Sequence, residues 1–119
     1  MMVCLVDIGK SMNEPVFEGG PKKISTAATL IASHMTQRIM ASKTIEFSVV
    51  TYGSGNTNNF LNETQGGYEN VEEVLQMGTK TFANIADVYN LAAGSPVSEP
   101  SVPPPDLIDS IAVAQDILI

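Results

Sequence analysis

The chain has no tryptophan, a single cysteine, a single histidine and only six basic residues in 119. One thiol, Cys4, leaves no partner for an internal disulfide and no basis for a multi-cysteine zinc site, and it fits a reducing compartment. Six Lys and Arg against thirteen Asp and Glu give a net charge of −7, which argues against this chain being, by itself, an electrostatic grip on nucleic acid. One histidine, His34, has no cysteine or second histidine nearby. It reads as a partly buried or surface side chain, and a serine–histidine–acid array has no footing. No apolar run reaches the ~18 residues a membrane helix requires. The apolar opening Met1 to Val6 stops at Asp7, too short for a signal-peptide core.

What is present is apolar enough to fold: 44% of residues are hydrophobic, too many for a disordered tail, and the length allows at most one domain. Val3-Cys4-Leu5-Val6 followed by Asp7 reads as a strand buried on both faces. Pro21 suits the first turn of a helix, expected over Lys22 to Ser42 with Ile24, Ala28, Ile31, Met35 and Ile39 as its apolar stripe. Ile45 to Tyr52 reads as a second strand ending at Gly53, and Ser54 to Gly67 as a polar loop. Val71 to Met77 reads as an edge strand with Glu72 and Glu73 facing water. A second helix is expected from Thr81, its cap, to Ala93, facing inward with Phe82, Ile85, Tyr89 and Ala92 and stopped by Gly94. Ser95 to Pro105 holds five of the seven prolines and reads as an extended loop. Asp106 then caps a third helix with Ile108, Ile111, Ala112 and Leu118 on one side. This order predicts an α/β layered fold whose first two strands are joined by a crossover helix. An apolar helix at the end of only three strands leads us to expect the front part of a larger domain.

The opening Cys4-Leu5-Val6-Asp7-Ile8-Gly9-Lys10-Ser11-Met12-Asn13 resembles the start of a von Willebrand factor A-type domain. Asp7-Ile8-Gly9 with Ser11-Met12 is similar to one branch, the amino-terminal domain of the Ku family, in particular its larger, eighty-kilodalton-type subunit. Pro21-Lys22-Lys23-Ile24, Gln37-Arg38, Val49 to Asn59, Gly66 to Val71 and Asp106 to Ile111 fit the same pattern in order and spacing. The resemblance implies a three-layer, Rossmann-like α/β fold with a mostly parallel sheet, truncated after about half of the domain, residues 1–119 being its amino-terminal part. It implies a non-enzymatic protein-interaction domain of a nuclear heterodimer acting in DNA double-strand-break repair by non-homologous end joining and in telomere maintenance. The implied partners are the smaller Ku subunit, end-joining and telomere proteins, and double-stranded DNA ends through domains absent from this chain, with no membrane.

Two other function classes are weighed against it. The A-domain metal site takes Asp-x-Ser-x-Ser on the first loop, then a threonine and an aspartate from later loops. Asp7 and Ser11 match the first and last positions, but Gly9 replaces the middle serine and no threonine lies around Pro103-Pro104-Pro105-Asp106. A hard cation needs more oxygens than remain. So no metal and no cofactor is expected, and Asp7 is expected to brace its loop by accepting backbone N–H groups. Ku subunits also carry the label of an ATP-dependent DNA helicase subunit. Gly9-Lys10-Ser11 copies the end of a phosphate loop, but Cys4 stands where its first glycine belongs, so no nucleotide site and no catalytic residue is expected. Cys4 and the methionines Met12, Met35, Met40 and Met77 read as packing, Lys22 and Lys23 as a solvated pair, and Asn62-Glu63-Thr64 as a glycosylation pattern that matters only in a secreted chain.

Overall fold

The structure, a computed structural model, describes residues 1–42, 44–53, 55–93 and 106–119. The expected stop at Gly94 and the proline-rich segment Ser95 to Pro105 lie outside the described residues. Strand β1 (Met2–Asp7) leads through a 3-10 turn (Lys10–Asn13) to helix α1 (Lys23–Ala41), then strand β2 (Glu46–Tyr52). A short helix α2 (Phe60–Gln65), strand β3 (Val71–Thr79), helix α3 (Phe82–Ala93) and helix α4 (Leu107–Leu118) follow. The order in the sheet is β1-β2-β3.

β1 and β2 pair in parallel, Met2 opposite Phe47 through Asp7 opposite Tyr52. A parallel pair needs a crossover, and α1 supplies it as the sequence implies. β3 returns antiparallel to β2. The described sheet is therefore mixed and parallel pairing does not predominate in it, because the β2–β3 connection holds only the one-and-a-half-turn α2 and the chain turns back beside β2.

Helices cover both faces. On one, Val6, Phe47, Val49 and Leu75 pack with Ile24, Ala28, Ala32 and Met35 of α1 and Val88 of α3. On the other, Val50 and Val71 pack with Val113 of α4, joined by Val3, Leu5, Tyr52, Leu61, Tyr68 and Ile117. Alternation along β1 and β2 produces this division, since successive side chains point to opposite faces. Val71 and Leu75, four apart, would share a face in a regular strand. The register shift between Val49 and Val50 puts one extra residue into β3 between Glu73 and Leu75, so Val71 faces one core and Leu75 the other. The buried Ser48 Oγ donates to the Leu75 carbonyl (2.9 Å), and the Glu73 carboxylate accepts from Met77 N–H (3.3 Å), which satisfies backbone groups where the ladder is irregular. Glu72 and Glu73 are thus half-buried rather than turned freely to water.

Two expectations are corrected. The stretch Ser54 to Gly67 is not all loop, because Asn59 caps α2 inside it. The inward face of α3 is Ile85, Val88 and Leu91, while Phe82 and Tyr89 are exposed. The side chain of Ala92 lies outside the described residues. In α4 the buried face is Ser110, Val113 and Ala114, and Ile108, Ile111 and Leu118, expected on one side of the helix, share the side that faces solvent. Asp106 does cap α4, its Oδ1 accepting from Asp109 N–H at 3.1 Å.

Candidate functional site

Open α/β sheets present ligands at the carboxyl ends of their parallel strands. Here that edge is Asp7 and Tyr52, paired across β1 and β2, with the Ile8 N–H donating to the Tyr52 carbonyl (2.9 Å). The Asp7 Oδ1 accepts from Gly9 N–H at 2.8 Å. This is an Asx turn: the carboxylate folds back on its own loop. Ser11 lies in the following 3-10 turn, exposed, and its carbonyl accepts from Glu14 N–H at 3.1 Å. Asp7 and Ser11 therefore share the first loop, one bracing its start and the other forming its first turn. Gly9, between them, offers its N–H to Asp7 and no side-chain oxygen. Among the described residues no three of His, Cys, Asp and Glu come together as a metal cluster.

The loop then turns on itself. Val16 N–H donates to Pro21 O (2.9 Å) and Lys23 N–H to Glu14 O (2.9 Å), with Gly19 at φ +77° at the tip. Lys22 Nζ reaches the Asn13 Oδ1 (3.5 Å) and Lys23 pairs with Glu14 (3.6 Å), so both lysines of the sequence reading are tied to this loop. Val16 and Phe17 remain exposed.

Tyr52 is a site residue that the sequence reading passed over. Burial pushes its phenol above the ordinary tyrosine value, and the Asp7 carboxylate adds to the effect. The edge is thus an acid beside a phenol that keeps its proton. The neighbouring Thr51 hydroxyl is fully buried and has no partner among the described residues.

The most fully satisfied polar group at this edge is Asn59, only 3% exposed. Its Nδ2 donates to the carbonyls of Tyr68 (3.0 Å) and Val71 (2.9 Å), and its Oδ1 accepts from Asn62 N–H (2.8 Å), capping α2. Asn62 Nδ2 donates to Gly67 O (2.7 Å), and Thr57 Oγ1 accepts from Asn70 N–H (2.8 Å). This network fixes a run of left-handed backbone at Gly66, Gly67, Tyr68 and Asn70. A tyrosine in that region is held against its preference. An asparagine immediately before Phe60, with Glu63 in the turn that follows, was the available cap signal.

The remaining candidates take structural places. His34 stands edge-on to Phe47, ring centroids 6.3 Å apart. Cys4 is half-buried and burial raises its thiol above the ordinary range, which disfavours the reactive thiolate. Gly9-Lys10-Ser11 opens a four-residue 3-10 turn, not a helix that could receive a phosphate. A shallow groove of about 400 Å³ lies elsewhere, between β3 and α3, lined by Val74, Leu75, Asp87, Asn90 and Leu91.

No protein-family model matches the chain, and no curated protein matches it.

Proposed function

We propose that the chain is the amino-terminal, von Willebrand factor A-like part of a Ku larger subunit. Its role is that of a non-enzymatic protein-docking domain acting in double-strand-break repair by end joining and in telomere maintenance. On this reading it works in the nucleus as part of a heterodimer with the smaller Ku subunit. DNA ends are gripped by domains absent from the chain, and no metal or nucleotide takes part.

The observation that carries the reading is the sheet order together with the edge it creates. β1 ends in Asp7 and lies beside β2, while its other edge pairs with no strand among the described residues. In the family the first strand sits mid-sheet, flanked on that side by strands that come later in the chain. The first loop points the same way, because the Asp7 carboxylate binds the Gly9 N–H that stands where an A-domain would place a ligand serine. The net charge of −7 suits a surface that meets proteins rather than phosphate.

Sequencing of the transcript beyond the Ile119 codon tests the reading. A continuing strand-and-helix pattern followed by a β-barrel is expected; an unrelated continuation overturns it. The metal-dependent alternative is separated by titrating Mg²⁺ into the chain and following amide shifts. The docking reading expects no localised shift at Asp7 and Ser11 at millimolar metal.

A further inference from the structure

β1 is apolar from Met2 to Val6 yet poorly covered. Only Val6 of its six residues is buried, whereas β2 buries five of its seven. Helices pack on both faces of the sheet, so the difference lies at the outer side of β1, where no described strand pairs with it. The backbone groups on that side are those of Val3 and Leu5, because Ile8 N–H bonds to Tyr52 O and direction alternates along a strand. Met2 to Val6 has no charge and no proline, and it runs in unbroken register. Such an edge pairs readily with another strand.

We propose that the 119-residue chain forms a two-fold dimer in which β1 pairs antiparallel with β1 of a second copy, Cys4 facing Cys4 on the axis. Val3 of each copy then exchanges two backbone hydrogen bonds with Leu5 of the other, and Met2 meets Val6. This register pairs all five uncharged residues among themselves. Centring on Leu5 instead sets Asp7 against Val3, and centring on Val3 leaves Val6 unpaired. The two-fold axis also keeps like faces together, Met2, Cys4 and Val6 on the α1 side and Val3 and Leu5 on the α4 side. The charge of −7 per chain does not oppose the seam. The acids of the two paired strands, Asp7 and its copy, stand six residues apart along it, about 20 Å, beyond the ~8–10 Å screening length of physiological salt. Growth stops at two, because the other border, β3, is bulged and carries Glu72 and Glu73. The inference does not rest on the docking-domain reading: it concerns this chain, whether or not a longer one covers β1 with a strand of its own.

Sedimentation equilibrium of the chain with its thiol reduced should show twice the chain mass as concentration rises, and no larger species. Val3→Pro deletes an N–H that points away from β2, so the β1–β2 ladder keeps its bonds while the seam loses one per copy; association should weaken roughly tenfold or more. Amide spectra verify that this variant folds. Cys4 reports the register. Opposed residues between hydrogen-bonded pairs stand about 4.5 Å apart at Cα, within the span of a disulfide. Diamide, which takes up the two electrons and two protons that two thiols release on forming one S–S bond, should therefore link the copies through Cys4. In a Cys4→Ala background, neither Val3→Cys nor Leu5→Cys should link to its own copy. A chain that stays monomeric, or a dimer unmoved by a folded Val3→Pro, overturns the proposal. So does a dimer that diamide fails to link through Cys4 or links through Val3→Cys or Leu5→Cys instead, which would put the axis elsewhere. Species larger than two overturn it as well, because the contact would then be open rather than closed.

Discussion

Asn59 and Tyr52 carry most of the order at the carboxyl edge, and each makes a measurable claim. Asn59 is buried and uses both its amide N–H groups and its oxygen. Replacing it with alanine removes the α2 cap and strips the Tyr68 carbonyl of its donor, while Val71 O keeps the Asn58 N–H. The expected loss is about 2 kcal/mol, measured by urea denaturation. At Tyr52 the sign follows from the raised phenol. The unfolded chain releases this proton near the ordinary pKa of about 10, and the folded chain releases it only at higher pH. The stability linked to the protonated phenol is complete below the unfolded value and is lost as pH climbs through the folded one. Asp7→Asn keeps an oxygen for Gly9 N–H but removes the charge, so it should lower the Tyr52 titration only part of the way, because burial is the larger cause. Absorbance titration near the phenolate band, with Tyr52→Phe to assign the signal, checks this; no movement in Asp7→Asn would deny the contact.

At the scale of the element, α3 and α4 show how far periodicity reaches. Phe82, Ile85 and Tyr89 lie at helical spacing, and so do Ile85, Val88 and Leu91; a helix apolar on two sides does not say which side meets the sheet. The sheet chose the smaller side chains. Val88, 1% exposed, enters the core beside α1, and the aromatics stay outside. Val88→Ala should therefore cost about 2 kcal/mol, while Phe82→Ala changes the thermal midpoint little. The reverse ranking would restore the face expected from the sequence. In α4 the polar Ser110 lies in the buried arc by donating its hydroxyl to Leu107 O (2.7 Å). Alternation and capping chemistry were more informative. β1, α1, β2, β3 and the Asp106 cap were legible to within a residue or two, because each rests on local rules. The parallel and antiparallel pairings of β2 and the bulges of β3 depend on contacts between distant segments, which no local pattern encodes. The site divides the same way. The Asx turn of Asp7 is local and was foreseen, whereas the Tyr52–Asp7 proximity and the Asn59 bonds to Tyr68 and Val71 arise only when β2, α2 and β3 assemble.

At the scale of the whole molecule the two borders of the sheet are built differently. β3 is bulged, carries Glu72 and Glu73, and is partly covered where Asn58 donates to Val71 O (3.1 Å) and accepts from Glu73 N–H (2.8 Å). Those are the devices that keep a strand from pairing with strangers. β1 has none of them: Met2 to Val6 is uncharged, has no proline and runs in unbroken register. Because Ile8 N–H bonds to Tyr52 O, the even-numbered residues of β1 direct their backbone groups to β2, and Val3, Leu5 and Asp7 direct theirs outward. Amide exchange should therefore alternate along one strand, slow at Cys4, Val6 and Ile8 and fast at Val3, Leu5 and Asp7. The 119-residue chain should also associate through that border as its concentration rises, with light scattering increasing and the three fast amides becoming protected. A sharp two-state thermal transition of a species that stays monomeric, with all six amides equally slow, would mean that β1 is covered in the isolated chain. The sheet would then be closed rather than waiting for another strand.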